Sequence, residues 1–579
     1  MSATRITKLL KRGKKTEAFA ELVALIRQDY QNPNLMDVLV QVASSMANSI
    51  PDSRTQLLCG FVDELVRQKR FQEAVPVASY IYRYKNNEPE PNRLMAILCE
   101  KLQDLDKAEM YCERLCTIQP QNANNFAYMG RLRRAKRKMK EALEAFNHAI
   151  VLDEKNEGLL TELGIFLFEV SAYDKAAEVY AKLYEHHPNN EMAAANLLIS
   201  YMALGELDKA AEVAKKADTH MMNNGFYLDA KAKVLLDMGE VEDALKHSER
   251  AIKLMPQKDT FKATLSHILL MLGRLREGFE YYKHRFSKEM IGGVLMDDVN
   301  LPTLEDKKDV AGKHIYVASE QGFGDTLNFC RLINLLLLDG AKVTFSVQKQ
   351  VKTILEGFLP DVTLIEKTDP VPEDADFYCP LLNIAAIYRI GVEHLPIMEN
   401  YISADAAFVE KWDRILGAKK TLRVGLTWSG GTATRHDRKR TISLEKFLTA
   451  LPEGPDYISL QKDVRDYDQA TLAAHPEIRH FGDQLDDFRD TAALVELVDF
   501  VVCVDTSIVH LTGAMGKEAW LLVPFKPDFR WLMERTDSPW YPSLQLLRQP
   551  RPDHWEQTLS DVRRKIQDRY EEPQLTKAS

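Results

Sequence analysis

Alanine recurs at Ala74, Ala108, Ala142, Ala176, Ala210 and Ala244, with Gly278 in the next place, and every step is 34 residues. A second track in the same register passes through Ala96, Gly130, Gly164, Leu198, Ala232 and Ser266. A third marks turns at Pro120, Pro188 and Pro256, with Glu154 and Met222 in the intervening slots. Three tracks at one period restrict the first half of the chain to a stack of like units, because a unit of this length cannot bury its apolar face alone. Larger apolar residues surround the tracks: Phe126, Met129, Phe146 and Ala149, then Leu160, Leu163, Tyr180 and Leu183. Their helical spacing gives each helix a stripe for its neighbour to cover.

These tracks resemble the tetratricopeptide repeat, in which two antiparallel helices pack through small residues and a proline closes the unit. The resemblance implies an α-solenoid of about seven repeats over residues 55–292, preceded by a helical cap or degenerate repeat at 1–54 and followed by a linker at 293–312. The usual use of such a superhelix is a concave groove that holds a protein segment, so a protein partner is expected; a scaffold or dimer surface is the alternative. Arg131, Arg133, Arg134, Lys136, Arg137, Lys138 and Lys140 crowd one repeat. Without interleaved aromatics, a solvated helix face is the preferred reading over a nucleic-acid or acidic-peptide grip.

Glycine usage shifts along the chain: residues 1–290 hold 10 glycines and residues 291–579 hold 16. Helices therefore give way to a region with strands and tight turns. Short apolar runs at 314–319, 343–347, 362–365 and 377–379 form one predicted set of strands. Runs at 422–428, 457–460, 478–481, 500–504, 519–523 and 544–547 form another, and the stretch 402–420 separates them. Strands alternating with helices predict parallel sheets, here two Rossmann-like lobes at 313–405 and 406–550, with a C-terminal helix at 551–572 and a tail at 573–579. Seven scattered cysteines without a CxxC pair indicate neither a disulfide framework nor a zinc site, so a reducing, cytoplasmic setting is expected. The longest apolar run is far short of a membrane helix, and with 76 basic against 85 acidic residues the net charge of −9 recruits neither nucleic acid nor an anionic membrane.

Chemistry is sought at the carboxyl ends of the strands, where open parallel sheets bind ligands. The first candidate is Glu320-Gln321-Gly322-Phe323-Gly324-Asp325-Thr326, where Gly322 and Gly324 allow close backbone approach and Asp325 sits at the mouth of a helix. Asp325 there either takes a proton from an attacking hydroxyl or serves as an N-cap. The second is Asp505-Thr506-Ser507 ahead of a helix that carries His510, an anion site suited to phosphate; His510 also reads as a packed histidine. Between them, Trp428 and Ser429 in a glycine turn precede Arg438, Lys439 and Arg440, cations able to neutralise a leaving group. Trp540 and Tyr541 read either as stacking platforms or as core, and Asp374 and Asp376 as structural.

Taken in order, EQGFGD, GLTWSGG, RKRTIS, VVCVDTSIVHLTGAMGK and FRWLMERTDSPWYP resemble the glycosyltransferase domain related to heptosyltransferases (family 9-like), whose two facing lobes make the GT-B fold. The resemblance covers about residues 313–550. It implies Asp325 as general base and a donor site of Gly322, Gly324, Trp428, Ser429, Arg438, Lys439, Arg440, Asp505, Thr506, Ser507 and His510, with Thr506 and Ser507 on phosphate. The donor is a nucleotide-sugar substrate, with no metal or further cofactor. The pairing with tetratricopeptide repeats is similar to protein glycosyltransferases, including the bacterial flagellin enzymes, in which the repeats select the acceptor. The expected activity is therefore metal-independent, inverting transfer to Ser or Thr hydroxyls of a protein, flagellin being one candidate. The long repeat domain and the short first lobe, about 90 residues, argue against a lipopolysaccharide acceptor. The rival readings are transfer to lipid or polysaccharide with the repeats as a recruiting scaffold, and a repeat scaffold without catalysis.

Overall fold

The computed structural model of the chain describes residues 3–14, scattered positions between 17 and 38, and residues 52–286, 299–431 and 440–578. The chain divides into two compact units, Met1–Ala217 and Asp218–Ser579. No helix among the described residues is long and apolar enough to cross a membrane.

Among the described residues the first unit contains five helical pairs: Asp52–Arg67 with Phe71–Lys85, Pro89–Lys101 with Leu105–Ile118, Ala123–Ala135 with Met139–Leu152, Glu157–Glu169 with Tyr173–His186, and Ala193–Leu204 with Leu207–Ala217. The short helix Ala3–Lys11 precedes them; most of the remaining residues expected as a cap lie outside the described residues. Packing explains the small-residue tracks. A Cβ on Gly130 would lie 2.9 Å from the Phe146 ring, and one on Gly164 would lie 2.5 Å from the Tyr180 ring. In these two pairs the first helix thus lies directly on the aromatic of its partner. One repeat later the sizes exchange, with Leu198 in the small slot and Ala214 in the aromatic one, both buried.

Two further tracks share the period. Lys69, Gln103, Arg137, Ser171, Gly205, Gly239 and Gly273 all take left-handed φ between 58° and 85°, which ends the first helix of every pair. Side chains of Asn122, Asn156 and Asn224 accept a backbone N–H at the start of the next unit, and Asn190 accepts from Met192 and Ala193. Five of the seven residues of the basic cluster form ion pairs within the unit: Arg131 pairs with Glu162 and Arg134 with Glu169, while Arg133, Lys136 and Lys138 converge on Glu109.

The second unit begins with two more pairs, Gly225–Asp237 with Val241–Leu254 and Asp259–Met271 with Leu275–Tyr282, and continues into an α/β region. One sheet holds β1 (His314–Ala318), β2 (Lys342–Val347), β3 (Thr363–Glu366) and β4 (Phe377–Pro380), in the order β3-β2-β1-β4. The other holds β5 (Arg423–Thr427), β6 (Asp456–Ser459), β7 (Ile478–His480), β8 (Phe500–Val504), β9 (Ala519–Val523) and β10 (Leu544–Arg548), in the order β10-β9-β8-β5-β6-β7. Every strand pair is parallel, and the ten apolar runs read from the sequence are these ten strands with no end shifted by more than one residue.

Part of the expected linker is sheet-bound: Leu304 N–H donates to the Tyr378 carbonyl (2.8 Å) and Tyr378 N–H donates to that of Pro302 (2.9 Å), which extends the sheet beyond β4. Asp374 and Asp376 are structural, since Asp376 accepts the His314 N–H at 2.8 Å and Asp374 pairs with Lys342. The helix Glu556–Ala578 covers one face of the second sheet through Leu559, Val562 and Ile566, and it runs on through 573–578, expected as a tail. The other face belongs to a core that is continuous with the last two helical pairs: Leu265, Ile268 and Phe279 join Leu327 and Phe329 of the first sheet's layer and Val501 and Leu521 of the second. All seven cysteines are free and buried.

Candidate functional site

Strands β5, β6 and β7 step outward in one direction from β5, whereas β8, β9 and β10 step outward in the other. The loops leaving β5 and β8 therefore diverge, and the crevice between them is the topological switch point of the sheet. A cavity of about 370 Å³ lies there. Thr427, Ser429, Gly430 and Gly431 line it from the end of β5, Gln461 and Lys462 from β6, Asp486 to Phe488 from beyond β7, and Thr506, Ser507 and Ile508 from β8. The first sheet's layer contributes Phe323 and Gln350.

The lining is ordered by local hydrogen bonds. The Gln461 amide donates to Ser429 Oγ at 2.8 Å and accepts the Ser429 N–H at 3.2 Å, which fixes the turn after β5. Thr506 caps the helix Ser507–Ala514, its hydroxyl accepting the Ile508 N–H at 3.3 Å. That helix directs its positive end at the cavity wall. Thr427, 2% exposed, is one of the lining residues, and its Oγ1 is buried without a hydrogen-bond partner. A buried hydroxyl without a partner costs stability unless a ligand or water completes it.

Asp325 lies outside the cavity lining. It is the third residue of the helix Phe323–Phe329, where Oδ2 accepts the Gly322 N–H at 2.9 Å and Oδ1 pairs with Arg530. Burial works to raise its carboxyl above the ordinary carboxylate value, opposed by the Arg530 charge and the Gly322 N–H. Arg530 belongs to the short turn Phe529–Trp531 that follows β9, and Nη1 also donates to Asp528 at 2.7 Å. Against the pull of burial, the carboxylates of Asp528 and Asp325 hold the guanidinium above its ordinary value. The arginine is thus shared between two carboxylates and packs over the Phe329 and Phe529 rings.

Four residues expected on the donor have interior roles instead. Trp428 is fully buried, its Nε1–H donating to Asp468 at 3.1 Å, because alternation along β5 turns it into the core. His510 stacks on Trp531 at 5.4 Å with its Nδ1 3.1 Å from the Tyr541 hydroxyl, and burial holds it well below the ordinary histidine range, hence neutral. Gly324 is small because a Cβ there would lie 2.6 Å from His510 Cδ2, so the glycine serves helix packing. Asp505 is buried, and burial together with the Asp528 charge pushes its carboxyl up to about 6, with Arg440 opposing. Gly322 supplies the N–H that Asp325 accepts, while Ser429, Thr506 and Ser507 face the cavity. Arg438 and Lys439 lie outside the described residues. Trp540 and Tyr541 are core, packed around the buried Arg331, whose Nη1 donates to the Trp540 carbonyl at 2.9 Å.

The sequence reading assigned no role to Arg530, Thr427 or Gln461. Thr427 ends β5 and Gln461 stands two residues beyond β6, whereas Arg530 lies in the loop seven residues beyond β9; the signal of the strand end extends to every strand and not only to those followed by glycine.

The tetratricopeptide repeat family matches residues 161–220. The protein FlbA of Caulobacter vibrioides is 23% identical over 326 residues, covering 51% of this chain and 53% of FlbA, so the chain spans about half the length of the curated relative it matches. Among solved structures, that of pilF from Pseudomonas aeruginosa is 12% identical and covers 36% of this chain and 96% of its own, with a TM-score of 0.30. YrrB, described as a TPR protein with an unusual peptide-binding site, is 17% identical and covers 32% and 95%, with a TM-score of 0.27. MamA from Desulfovibrio magneticus is 18% identical and covers 30% and 96%, with a TM-score of 0.26.

Proposed function

We propose that the α/β region is a GT-B glycosyltransferase that moves a sugar from a nucleotide-sugar to Ser or Thr hydroxyls of a protein held by the tetratricopeptide repeats, with flagellin the acceptor named by the resemblance. The observation that carries this reading is the cavity at the switch point of the second sheet, lined by Thr427 and by Thr506 and Ser507 at a helix N-terminus. In the proposed reaction the donor diphosphate lies against that N-terminus and its N–H groups. Asp325 takes the acceptor proton, the acceptor oxygen attacks the anomeric carbon from the face opposite the nucleotide, and the configuration inverts. Arg440 and the helix N-terminus hold the departing phosphate without a metal ion, each charge-assisted hydrogen bond being worth about 1.5–3 kcal/mol. Asp325 is free to act as the base once Arg530 turns from it to the donor. Its buried setting favours proton uptake over that of an exposed aspartate.

Melting the full chain with CMP, UDP, GDP and ADP in turn tests the donor site. One nucleotide present at 100 times its Kd should add about 2.7 kcal/mol of stability, and Thr506→Val should reduce that gain. If none shifts the melting point, the donor-site reading is lost. Asp325→Ala should then abolish transfer while leaving the nucleotide shift intact.

A second reading, a repeat scaffold without catalysis, is favoured by one observation: both Asp325 oxygens are already engaged, by Arg530 and by the Gly322 N–H. Under that reading Asp325→Ala alters stability only.

A further inference from the structure

Two loops meet at the Asp325–Arg530 pair, and the last two helical pairs hold both of them. One loop leaves β1. Its Glu320 is gripped in a two-pronged bond by Arg285, Nε to Oε2 at 2.7 Å and Nη2 to Oε1 at 2.5 Å, with side-chain exposures of only 10% and 6%. Arg285 lies just past the last repeat helix, in the turn Lys283–Phe286, and its Nη1 also donates to Asn383 at 2.9 Å. The next residue, Gln321, donates to the Tyr282 hydroxyl at 2.7 Å. Four residues beyond this clamp stands Asp325.

The other loop leaves β9. Its Lys526 pairs with Asp237, a side chain 3% exposed at the end of the helix Gly225–Asp237. Beside it Phe525 packs where Gly239 turns left-handed, with only 3.1 Å between its ring and the position of a Cβ on that glycine. Four residues beyond this second clamp stands Arg530.

We propose that Arg285 and Asp237 are positioning residues, through which the last two repeats set the alignment of Asp325 with Arg530. The inference rests on the reading of Asp325 as the base. Neither residue lines the cavity, so neither touches the donor; each acts through the loop it holds. A buried two-pronged ion pair fixes direction as well as distance, and removing one partner leaves an uncompensated charge. Since a base displaced by about 1 Å forfeits about a hundredfold in rate, the two-pronged Arg285–Glu320 clamp and the single Lys526–Asp237 ion pair tie the alignment of the pair to the repeats in which acceptor binding is proposed.

Trp531 is a built-in reporter, because it adjoins Arg530 and stacks on His510. The full chain is labelled with 5-fluorotryptophan, and the Trp531 ¹⁹F resonance is assigned through Trp531→Phe. Arg285→Lys, which keeps the charge and loses the fork, and Asp237→Asn should each move the Trp531 resonance while that of Trp428, bonded to Asp468 in the other cluster, stays in place. In an Asp325→Asn background Arg285→Lys should move Trp531 no further, because the coupling runs through the broken pair. A brace without positioning would give equal effects in both backgrounds, and that result overturns the proposal, as does an unmoved Trp531. Should Arg285→Lys lose its cooperative melt, Glu320→Gln reads the same clamp from its other side. If Trp531 responds but no nucleotide binds, the alignment stands and the glycosyltransferase reading falls; if a nucleotide binds but Trp531 ignores both variants, positioning alone falls.

Discussion

The five helical pairs of the first unit and the two that open the second share one period, one set of small residues and one set of left-handed turns, yet their apolar faces are covered differently. In the first unit Phe146, Leu163, Tyr180 and Leu197 close on neighbouring repeats. In the second, Leu265, Ile268 and Phe279 close on the α/β region. A repeat sequence thus dictates helical pairs but not where a compact unit ends. A solenoid must cap its last apolar face, and here a sheet-bearing region replaces the usual polar cap.

The strongest way to break that comparison is Phe279→Ala. Phe279 is fully buried and meets Phe329 and Phe529 edge-on at 6.1 and 6.0 Å, so truncation empties a site shared by repeat and sheet layers. A loss of about 3–5 kcal/mol is expected. Hydrogen exchange should show protection falling together in 225–282 and in β1 and β8, with 52–217 unchanged. Loss confined to 225–282 would contradict a common core.

Within the first unit the test is size exchange. Gly164→Leu drives a side chain into Tyr180, at an expected cost of about 1–3 kcal/mol. Adding Tyr180→Ala should recover most of it, because the chain uses that combination one repeat later as Leu198 with Ala214. Urea melts of the single and double variants measure the recovery; an additive double variant would mean that the two slots do not face each other as a unit.

The same contrast explains what was legible in the sequence. The strands announced themselves as apolar runs, and the repeat as spacing. The left-handed turns share that spacing, but Lys69, Gln103, Arg137 and Ser171 occupy four of the seven positions, and such residues carry no turn signal. Gly324 carried a signal of the wrong kind, since a glycine that admits a ligand and one that admits His510 look alike. Trp428 lies one residue past β5, where alternation decides between cavity and core and a glycine turn obscures the count. The Asp325–Arg530 pair was out of reach, because its partners are 205 residues apart and only the closure of two sheets brings them together.

The smallest expected effect separates two buried carboxylates by what surrounds them. Glu109, 8% exposed, receives Arg133, Lys136 and Lys138, whereas Asp325 receives Arg530, which it shares with Asp528. Burial opposes the Glu109 charge, but the three cations outweigh it and bring its pKa down from 4.5 to about 2. A carboxyl whose pKa is lower in the folded chain stabilises the fold above its unfolded value, and the contribution disappears as pH falls through the folded one. Glu109→Gln should therefore destabilise the first unit by about 1 kcal/mol at pH 7, at the upper end for a partly exposed cluster. The difference from the native chain should narrow between pH 4.5 and about 2. A gap that persists at pH 2, followed by circular dichroism melts, would mean that Glu109 serves through packing and hydrogen bonds that survive protonation. A gap that closes makes Arg133, Lys136 and Lys138, three of the seven clustered cations, a charge balance for one buried acid.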